Sequence, residues 1–491
     1  MISLLDTRRV FVFILALGIF AMAARNVTDP DVWWHLRTGE LIVHNHAVFH
    51  ADPYSFTKFG RPWVNHEWLS DILIFTIYRT MGWPGLIAIF AAITSATFML
   101  VFLVCADGPY WAAAFTVWAA IASAPAWGVR PQAISLLLAS LFLVLLERSY
   151  LRPKILWWTV PLMLIWVNLH GGYALGIALV ALFLAGDLLD ITFGFEKWPQ
   201  LRNRIRNLGF AIAACVAVVP VNPYGARIYW YPLQTIHSRA MESYISEWLS
   251  PNFHQAMYAP LLLLILGILV AAAISPVRLR PRDLLLLSAT AWAALHSARH
   301  VPIFALVAAP ILSKLAYGWR REKRARSSLD TDSVRPGKGQ TIGLRVFNGL
   351  VLAAFLTFTV MKIRHVFSAQ DYAESRAFPA AAVSFLSANR LPQPLFSAYN
   401  WGGYLIWKLY PNYRVYVDGR ADLYGDGFLD QFAATYQITD AAWQHSLEGW
   451  HIHSVILPPD APLISALRLR SGWKQVYGDV EAVILVNNGA E

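Results

Sequence analysis

Residues 25–40 read RNVTDPDVWWHLRTGE and residues 62–68 read PWVNHEW. Both lie in a stretch, 25–83, that follows the first apolar segment and precedes a long apolar run. This stretch is dense in carboxylates, imidazoles and indoles, which a simple tether between two membrane spans does not need. We therefore predict that 25–83 is a large loop on the side of the membrane opposite the cytoplasm, and that it forms the floor of a functional site.

The composition indicates an integral membrane protein. Of the 491 residues, 57% are hydrophobic and only 14% are charged, whereas soluble domains carry about 25% charged residues. The apolar runs are continuous rather than alternating, which favours helices over a barrel. The net charge of +10 is explained by Lys and Arg in cytoplasmic loops, so no nucleic-acid partner is expected. Cys105 and Cys215 both lie in apolar segments, so no disulfide framework is predicted.

The basic residues predict the orientation of the chain. Arg8 and Arg9 precede the first apolar segment and indicate a retained first helix with its N-terminus in the cytoplasm. Four later basic loops can all be cytoplasmic only if 68–82, an apolar segment with Asp71 and Arg79, does not cross the membrane. We therefore predict that 68–82 is an amphipathic helix at the outer interface.

The remaining apolar runs predict about eleven membrane spans in a mainly α-helical fold, with the C-terminus outside. The outward turns collect the unusual polar residues, whereas the inward loops hold little beyond Lys and Arg, so we expect a site on the outer face. The predicted spans are 10–24, 84–104, 110–124, 132–147, 156–169, 173–190, 208–221, 258–275, 284–298, 301–317 and 343–361.

The last third of the chain differs from the rest. Residues 327–341, rich in Ser, Asp, Gly and Lys, predict a flexible cytoplasmic linker. Beyond the last span, hydrophobic runs of strand length alternate with helical stretches, which predicts a small α/β domain on the outer side. We thus expect a transmembrane domain over 1–361, which includes the outer loop, and an extracytoplasmic domain over 362–491. The runs that predict the second domain are strands at 414–417 and 452–457 and a helical stretch at 428–447.

The first candidate catalytic residues are Asp29 and Asp31. Asp29 precedes Pro30, which disfavours helical backbone at Asp29, and in an extended chain the side chains of residues i and i+2 point the same way. Two carboxylates could then face one cavity, where one accepts a proton from a hydroxyl and the other holds it in place or binds a metal. The alternative is a pair of solvated acids after a helix. An exposed indole pair, Trp33 and Trp34, is typical of a sugar site, although Trp also belongs to interfacial belts.

Further candidate residues for substrate binding lie in the loop and at the outer ends of later spans. The guanidinium groups suit a phosphate, or they extend toward lipid headgroups. The first-turn Glu67 is also favoured by the helix dipole, and the histidine spacings match no standard zinc pattern, so no metal ligands are assigned. These candidates are His35, Arg37, His66, Glu67, Arg130, His170, Arg299 and His300.

Two motifs stand out in the outer domain, YNWGGY at 399–404 and DGRAD at 418–422. Their glycines permit a turn or a close backbone approach. The second motif follows a predicted strand, where α/β folds often place ligands. Structural turns are the alternative interpretation of both motifs.

The layout of residues 1–320 resembles the GT-C superfamily of polytopic glycosyltransferases. The matching features are one span, a long outer loop with Asp29 and Asp31, an interfacial helix, and a span pair that ends in an Arg130-Pro131 turn. The likeness is strongest to the bacterial branch that includes protein mannosyltransferases and lipid A aminoarabinose transferases. It implies a bacterial inner-membrane enzyme with a periplasmic site, a sugar donor on polyprenyl phosphate, and a loop carboxylate as the base or metal holder.

Carried over residue by residue, the resemblance gives that role to Asp29 or Asp31 and sets Arg130 or Arg299 against the phosphate. The chain departs from the family at Gln132, where an acid often follows Arg-Pro, and this puts a second metal carboxylate in doubt. The 362–491 segment resembles the periplasmic tails of bacterial members with Trp-Gly-Gly-Tyr and Asp-Gly-Arg signatures. That likeness implies no activity.

We therefore expect an inverting transferase that moves a sugar from a polyprenyl-phosphate donor to a hydroxyl of a lipid, glycan or protein acceptor among membrane lipids. No cofactor is required by this scheme, and a divalent cation, Mg²⁺ or Mn²⁺, is left open. One alternative is a ligase or polymerase of lipid-linked glycans that uses no carboxylate base. Another is a non-enzymatic transporter or assembly subunit of envelope glycan synthesis, which predicts buried charges in the middle of the membrane.

Overall fold

The structure is a computed structural model that describes residues 5–106, 108–326 and 338–488. Its contacts divide the chain into two compact units. Unit 1 comprises Met1–Arg25, Ile87–Val219 and Glu247–Val366, and unit 2 comprises Asn26–Leu86, Pro220–Ser246 and Phe367–Glu491. Residues 327–337 of the predicted linker lie outside the described residues, and 338–341 begin a helix.

Most of the described residues are helical. Up to residue 368 the α-helices are α1 (Thr7–Ala23), α2 (Val32–Asn45), α3 (Trp68–Val104), α4 (Pro109–Ser123), α5 (Pro131–Arg148), α6 (Thr159–Leu169), α7 (Tyr173–Thr192), α8 (Trp198–Val218), α9 (Trp230–Ile236), α10 (Arg239–Tyr244), α11 (Ala259–Ile274), α12 (Pro281–His296), α13 (Val301–Arg326) and α14 (Lys338–Ser368). After it follow α15 (Gln370–Ala377), α16 (Ala380–Asn389), α17 (Gly402–Leu409), α18 (Ala421–Tyr424), α19 (Asp426–Gln437), α20 (Trp443–Gly449) and α21 (Pro462–Arg468).

The predicted polytopic helical fold with a small C-terminal sheet is confirmed. Each predicted span falls on a helix of the structure, because a continuous apolar run satisfies its backbone inside lipid only as a helix. Among the described residues, six helices are long and apolar enough to cross a membrane by length and composition. The number eleven stays a prediction. These six are Trp68–Val104, Pro131–Arg148, Tyr173–Thr192, Ala256–Ile274, Ala298–Lys323 and Ile342–Ser368.

The predicted interfacial helix and the span after it form one helix, α3, with an interruption at Gly82. Gly82 has φ 61° and ψ −159°, a backbone conformation that residues with a side chain avoid. Pro84 follows and has no N–H to donate. The interruption at Gly82 thus separates the first part of α3, which begins at Trp68, from the apolar part that ends at Val104.

Helix α2 lies inside the predicted loop and was not expected. The prediction of an exposed indole pair is wrong, because the relative exposure of Trp33 is 0% and that of Trp34 is 5%. The Trp33 ring makes edge contacts with three aromatic rings of unit 2, those of Trp83, Phe378 and Tyr404. The loop is therefore a folded part of unit 2 whose apolar helix face is buried.

The C-terminal part of unit 2 contains a four-stranded sheet in the order β1-β2-β4-β3. β1 pairs with β2 in parallel, and the other two pairings are antiparallel. The strands are β1 (Leu395–Ser397), β2 (Ser454–Leu457), β3 (Trp473–Gly478) and β4 (Val483–Asn487).

Of the two predicted strands, 452–457 contains β2, but 414–417 does not join the sheet. Its Val415 instead pairs with the first loop: the Val415 N–H donates to Tyr54 O at 3.1 Å, and the Phe56 N–H donates to Val415 O at 3.1 Å. The predicted helical stretch 428–447 is divided between α19 and α20. The compact units of the structure do not divide at the predicted boundary, residue 361. The first loop, Asn26–Leu86, belongs to the same unit as the C-terminal segment, Phe367–Glu491.

The glycines of the two C-terminal motifs allow the chain to lie directly on the first loop. A Cβ at Gly403 would lie 2.5 Å from Pro30 O, and a Cβ at Gly419 would lie 1.8 Å from Asp31 Oδ1. Real Cβ atoms essentially never come closer than 3.0 Å to other heavy atoms. The two glycines therefore allow the C-terminal segment to contact Pro30 and the predicted catalytic residue Asp31.

A buried ion network completes this docking. Arg420 makes a two-pronged pair with Asp418, Nε to Oδ1 at 2.7 Å and Nη2 to Oδ2 at 2.6 Å. Its Nη1 lies 2.8 Å from Asp52 Oδ1 of the first loop. The guanidinium also lies over the rings of Tyr54 and Trp63, at 5.0 and 4.6 Å. Asp418 and Arg420 thus have a structural role, in agreement with the interpretation of 418–422 as a turn.

Unit 1 buries a separate set of charges at the ends of its helices. Arg204 of α8 pairs with Asp187 in the last turns of α7, and its guanidinium stacks on the ring of Tyr150 at 3.7 Å. Arg282, at the start of α12, lies over the same ring at 4.8 Å and pairs with Asp283 at 3.1 Å.

We predict that Gly403→Ala destabilises the protein by about 1–3 kcal/mol, the usual cost of forcing an extra carbon into a packed site. The added methyl group would collide with Pro30 O, which is backbone and cannot rotate away. The thermal unfolding midpoint of the purified protein in detergent measures the effect. Gly427→Ala is the matched control, since a Cβ there meets nothing within 4 Å. Equal midpoints for the two variants would contradict the docking described above.

Candidate active site

The first group of predicted site residues surrounds His35 in unit 2. The His35 Nδ1 lies 2.6 Å from Asp71 Oδ1, and Asn65 Nδ2 donates to Asp71 Oδ2 at 2.7 Å. On the other side of the ring, His35 Nε2 lies 3.7 Å from Glu67 Oε2. All four side chains are buried. Helix α2 begins at Val32, so His35 is in its first turn and faces the start of α3.

His66 extends this group. Its ring stacks on Tyr231 with ring centres 3.7 Å apart, and its Nε2 lies 3.5 Å from Glu67 Oε1. Glu67 therefore lies between two imidazoles. Tyr231 comes from the 220–246 segment, which is held by the C-terminal segment: Ser238 Oγ donates to Asp426 Oδ1 at 2.6 Å.

Asp29 and Asp31 do not lie in parallel on an extended chain as predicted. Asp31 has φ −81° and ψ −25°, which is helical backbone, and its N–H donates to Asp29 Oδ1 at 2.9 Å. Asp29 therefore shapes the turn that starts α2. The Trp34 Nε1 donates to Asp31 Oδ1 at 3.2 Å, and both acids are partly exposed. Their predicted catalytic and binding roles stay predictions.

The electrostatics of this group favour a proton on His35. Burial alone would lower the pKa of His35, but the hydrogen bond to Asp71 and the charges of Glu67, Asp71 and Asp31 raise it above its usual value. The pKa of His66 is also raised, because the Glu67 carboxylate outweighs the cost of burial. Burial raises the pKa of the nearby Asp422, against the charges of His66 and Arg420. Three carboxylates, those of Asp31, Glu67 and Asp71, thus act on the imidazole of His35.

Arg37 makes contacts within unit 2 that are sufficient for a structural role. It donates to Glu40 Oε2 and to Trp407 O, both at 2.5 Å, and its guanidinium lies 5.0 Å from the centre of the Trp407 ring. Trp33 lies in the aromatic cluster that joins α2 to the C-terminal segment. The predicted substrate contacts of both residues remain predictions.

The second group of predicted site residues meets in unit 1 at Glu247. Arg130 Nη1 lies 2.5 Å from Glu247 Oε2, and Arg299 Nη1 lies 3.9 Å from Glu247 Oε1. The Arg299 guanidinium is 4.5 Å from the centre of the Trp248 ring. Burial alone would raise the pKa of Glu247, but the charges of Arg130 and Arg299 hold it below its usual range. Two arginines 169 positions apart in the sequence therefore converge on one carboxylate.

His170 and His300 flank the same cluster. His170 Nδ1 accepts a hydrogen bond from the Gly172 N–H at 2.9 Å and lies 2.7 Å from Ser135 Oγ. Because Nδ1 accepts from the Gly172 N–H, a neutral His170 carries its proton on Nε2. The His300 ring lies 6.5 Å from the ring of Trp248.

Sequence reasoning missed several members of these groups. Asp71 was used only as a mark of an interfacial helix, yet it is fully buried. The signal was its spacing, since Glu67 and Asp71 are i and i+4 and face the same way on a helix. Glu247 and Asp422 were noticed as polar residues, but no local pattern indicated which arginine or histidine they contact.

Asp29 and Asp31 belong to unit 2, whereas Arg130 and Arg299 belong to unit 1. Their predicted meeting in one cavity therefore stays a prediction.

Taken together, the chain is a polytopic helical membrane protein with a compact polar unit built from its first long loop, its 220–246 segment and its C-terminal segment. Its fold is similar to that of a solved oligosaccharyltransferase from Archaeoglobus fulgidus. The apo form of that protein matches with a TM-score of 0.55 at 13% identity, over 92% of this chain and 69% of the other. A second form, tethered by a disulfide bond to an acceptor peptide with the NVT sequon, matches with a TM-score of 0.57 at the same identity and coverage.

ArnT from Cupriavidus metallidurans in the apo state aligns over 97% of both chains at 15% identity, with a TM-score of 0.49. No family model and no curated protein matches the chain. The predicted GT-C fold is confirmed at the level of the fold.

We predict that His35→Asn destabilises the protein most in mildly acidic solution. A histidine whose pKa is raised on folding stabilises the folded state fully below its unfolded pKa of about 6.5, and this contribution is lost as the pH rises through the folded value. The difference in thermal unfolding midpoint between the wild type and His35→Asn should therefore be largest near pH 6 and shrink as the pH rises.

His44→Asn is the matched control, because His44 lies on the same helix and is exposed. Its difference from the wild type should be small at every pH. A pH-independent difference for His35→Asn would show that His35 contributes by packing alone.

Proposed function

We propose that the chain is a membrane glycosyltransferase that transfers a sugar, with inversion, from a polyprenyl-phosphate donor to an acceptor hydroxyl. The proposed location is a bacterial inner membrane, with the site on the periplasmic side. The observation that supports it best is that the charge of the partly exposed Asp31 acts on a buried group of imidazole and carboxylate side chains. The fold of the chain is also similar to that of a known oligosaccharyltransferase. The sugar, a hexose or pentose, and the acceptor are further parts of the proposal.

The proposed base is Asp31. The acceptor O–H gives its proton to the Asp31 carboxylate as the hydroxyl oxygen forms a bond to the anomeric carbon. The bond between that carbon and the phosphate oxygen breaks, and the electron pair leaves with the polyprenyl phosphate. The Asp29 carboxylate stabilises the turn before α2 by accepting a hydrogen bond from the backbone N–H of Asp31. The Trp34 indole, which donates to Asp31 Oδ1, fixes the orientation of the carboxylate.

His35 positions the base through backbone and charge. The backbone N–H of His35 donates to the backbone oxygen of Asp31 at 3.2 Å, so the two residues belong to the first turn of α2. A proton on His35 offsets part of the negative charge of Glu67 and Asp71. The charges of Asp31 and the protonated imidazole attract each other.

The proposed partners of the donor phosphate are Arg130 and Arg299. A guanidinium fork matches phosphate oxygens, and fixed positive charge stabilises the charge that develops on a leaving phosphate. His170 and His300 flank these arginines and complete the proposed donor site.

A divalent cation stays open in this proposal. Carboxylate oxygens are the ligands that Mg²⁺ and Mn²⁺ prefer, and the Asp29 carboxylate lies next to Asp31 in the turn before α2. A cation held there would neutralise charge near the acceptor. Transfer measured after chelation, and again with Mg²⁺ or Mn²⁺ restored, decides whether the enzyme needs one.

We predict that Asp31→Asn abolishes transfer while the protein still inserts and folds, because an amide cannot accept the acceptor proton. The assay follows release of polyprenyl phosphate by the purified full-length protein in vesicles, from a panel of polyprenyl-phosphate-linked hexoses and pentoses, with extracted envelope glycolipids as acceptors. Asp29→Asn should lower activity less, since an amide oxygen still accepts the Asp31 N–H.

Asp460→Asn is the control for loss of one exposed acid in the same unit and should be fully active. Full activity of Asp29→Asn, Asp31→Asn and the double variant would remove the base from the mechanism. If substitutions at Arg130, His170 or Arg299 then still inactivate the protein, a ligase or polymerase without a carboxylate base is favoured. A wild type without turnover on any donor would favour a transporter or assembly subunit.

A further inference from the structure

The carboxylate of Glu247 lies where two guanidinium groups and an imidazole converge. Its two oxygens face different arginines, Oε2 toward Arg130 and Oε1 toward Arg299. The three side chains are not sealed in the core: their relative exposures are 25% for Arg130, 29% for Glu247 and 23% for Arg299. A polar molecule at the surface of unit 1 can therefore reach the same guanidinium groups.

The backbone around Glu247 is held without the help of its side chain. The Arg299 N–H donates to Glu247 O at 2.9 Å, and the Ala298 N–H donates to Leu249 O at 2.9 Å. Ser297 Oγ also donates to Glu247 O, at 3.0 Å. The Glu247 side chain can thus rotate away while segments 247–249 and 297–299 stay paired.

The arginines also have other anchors. The Arg299 guanidinium lies against the ring of Trp248, and a cation over an indole is stabilised independently of any carboxylate. Arg130 precedes Pro131 and has extended backbone with φ −139° and ψ 143° at the start of α5, which fixes where its side chain leaves the chain. The Arg299 guanidinium and the backbone of Arg130 thus have anchors apart from the Glu247 carboxylate.

We propose that Glu247 is a built-in competitor for the donor site: its carboxylate and the phosphate of a lipid-linked donor bind the same two guanidinium groups in turn. The assignment of the competing anion as the donor phosphate rests on the proposed function. The carboxylate and phosphate share the relevant chemistry, since both offer oxygen acceptors that a guanidinium fork binds by charge-assisted hydrogen bonds.

The charges make the exchange reversible. A phosphodiester donor carries one negative charge, as does Glu247, so replacing one by the other leaves the charge beside Arg130 and Arg299 unaltered. After transfer the phosphate monoester carries about 1.5 to 2 negative charges. It binds more strongly than the donor, and return of the Glu247 carboxylate to the arginines promotes its release.

The probe for this competition is farnesyl phosphate, a short phosphate monoester of a prenyl chain. Its dissociation constant is measured on the purified full-length protein in detergent for the wild type, Glu247→Gln and a control. Glu247→Gln removes the competing charge but keeps the shape of the side chain. It should bind farnesyl phosphate about two- to fivefold more tightly than the wild type, as removal of a modest ion pair implies.

Glu196→Gln is the matched control, because Glu196 also pairs with one arginine of unit 1, Arg280, at 2.8 Å and is similarly exposed. Its affinity for farnesyl phosphate should equal that of the wild type. Arg130→Gln and Arg299→Gln should each weaken binding, and each should reduce the gain seen on adding Glu247→Gln. In the transfer assay, farnesyl phosphate should inhibit Glu247→Gln at correspondingly lower concentrations than the wild type.

Equal or weaker binding by Glu247→Gln overturns the proposal and makes Glu247 a permanent structural bridge. The same conclusion follows if neither protein binds farnesyl phosphate, or if Glu247→Gln and the milder Glu247→Asp both fail to fold. Equal or weaker binding by Glu247→Gln contradicts the competition alone, whereas failure of both proteins to bind farnesyl phosphate also contradicts the proposed donor site. Tighter binding by Glu247→Gln in a protein that transfers no sugar supports the competition and removes the transferase.

Discussion

The buried guanidinium of Arg420 is the constraint on which the arrangement of unit 2 depends. It joins Asp418 of the C-terminal segment to Asp52 of the first loop, with all three side chains almost wholly shielded from water. Breaking such a buried pair by removing one partner typically costs about 3–5 kcal/mol, because a charge is left without compensation. The neighbouring Gly419 then lies directly on Asp31. The ion pair that holds the C-terminal segment in place therefore also positions the proposed base.

The two groups of polar residues have opposite electrostatic character. Around His35, the charges of Asp31, Glu67 and Asp71 raise the affinity of the imidazole for a proton. Around Glu247, two arginines stabilise the anion. Glycosyl transfer between a phosphate donor and a hydroxyl needs one environment of each kind, one to accept a proton and one to stabilise a leaving anion. The acid-rich group lies in unit 2 and the arginine group in unit 1.

The sequence predicted the helices well and the packed loop poorly. Long apolar runs such as 132–147 and 173–190 coincide with α5 and α7 because hydropathy is a local property. The burial of Trp33 and the removal of 414–417 from the sheet depend on partners about 370 and 360 positions away, Tyr404 and Tyr54, which no local pattern contains. The polar residues were recognised by type, as with Arg130 and Arg299, but Glu247 between them became visible only in three dimensions.

The assembly of unit 2 from three distant stretches of chain restricts how the polypeptide threads the bilayer. Segments 26–86, 220–246 and 367–491 share one compact body, and a body with such buried ion pairs folds in water on a single side of the lipid. The number of crossings between successive segments must then be even. Three of the six long apolar helices fall in each interval, so an even number requires either that a shorter helix also crosses or that one of the three does not.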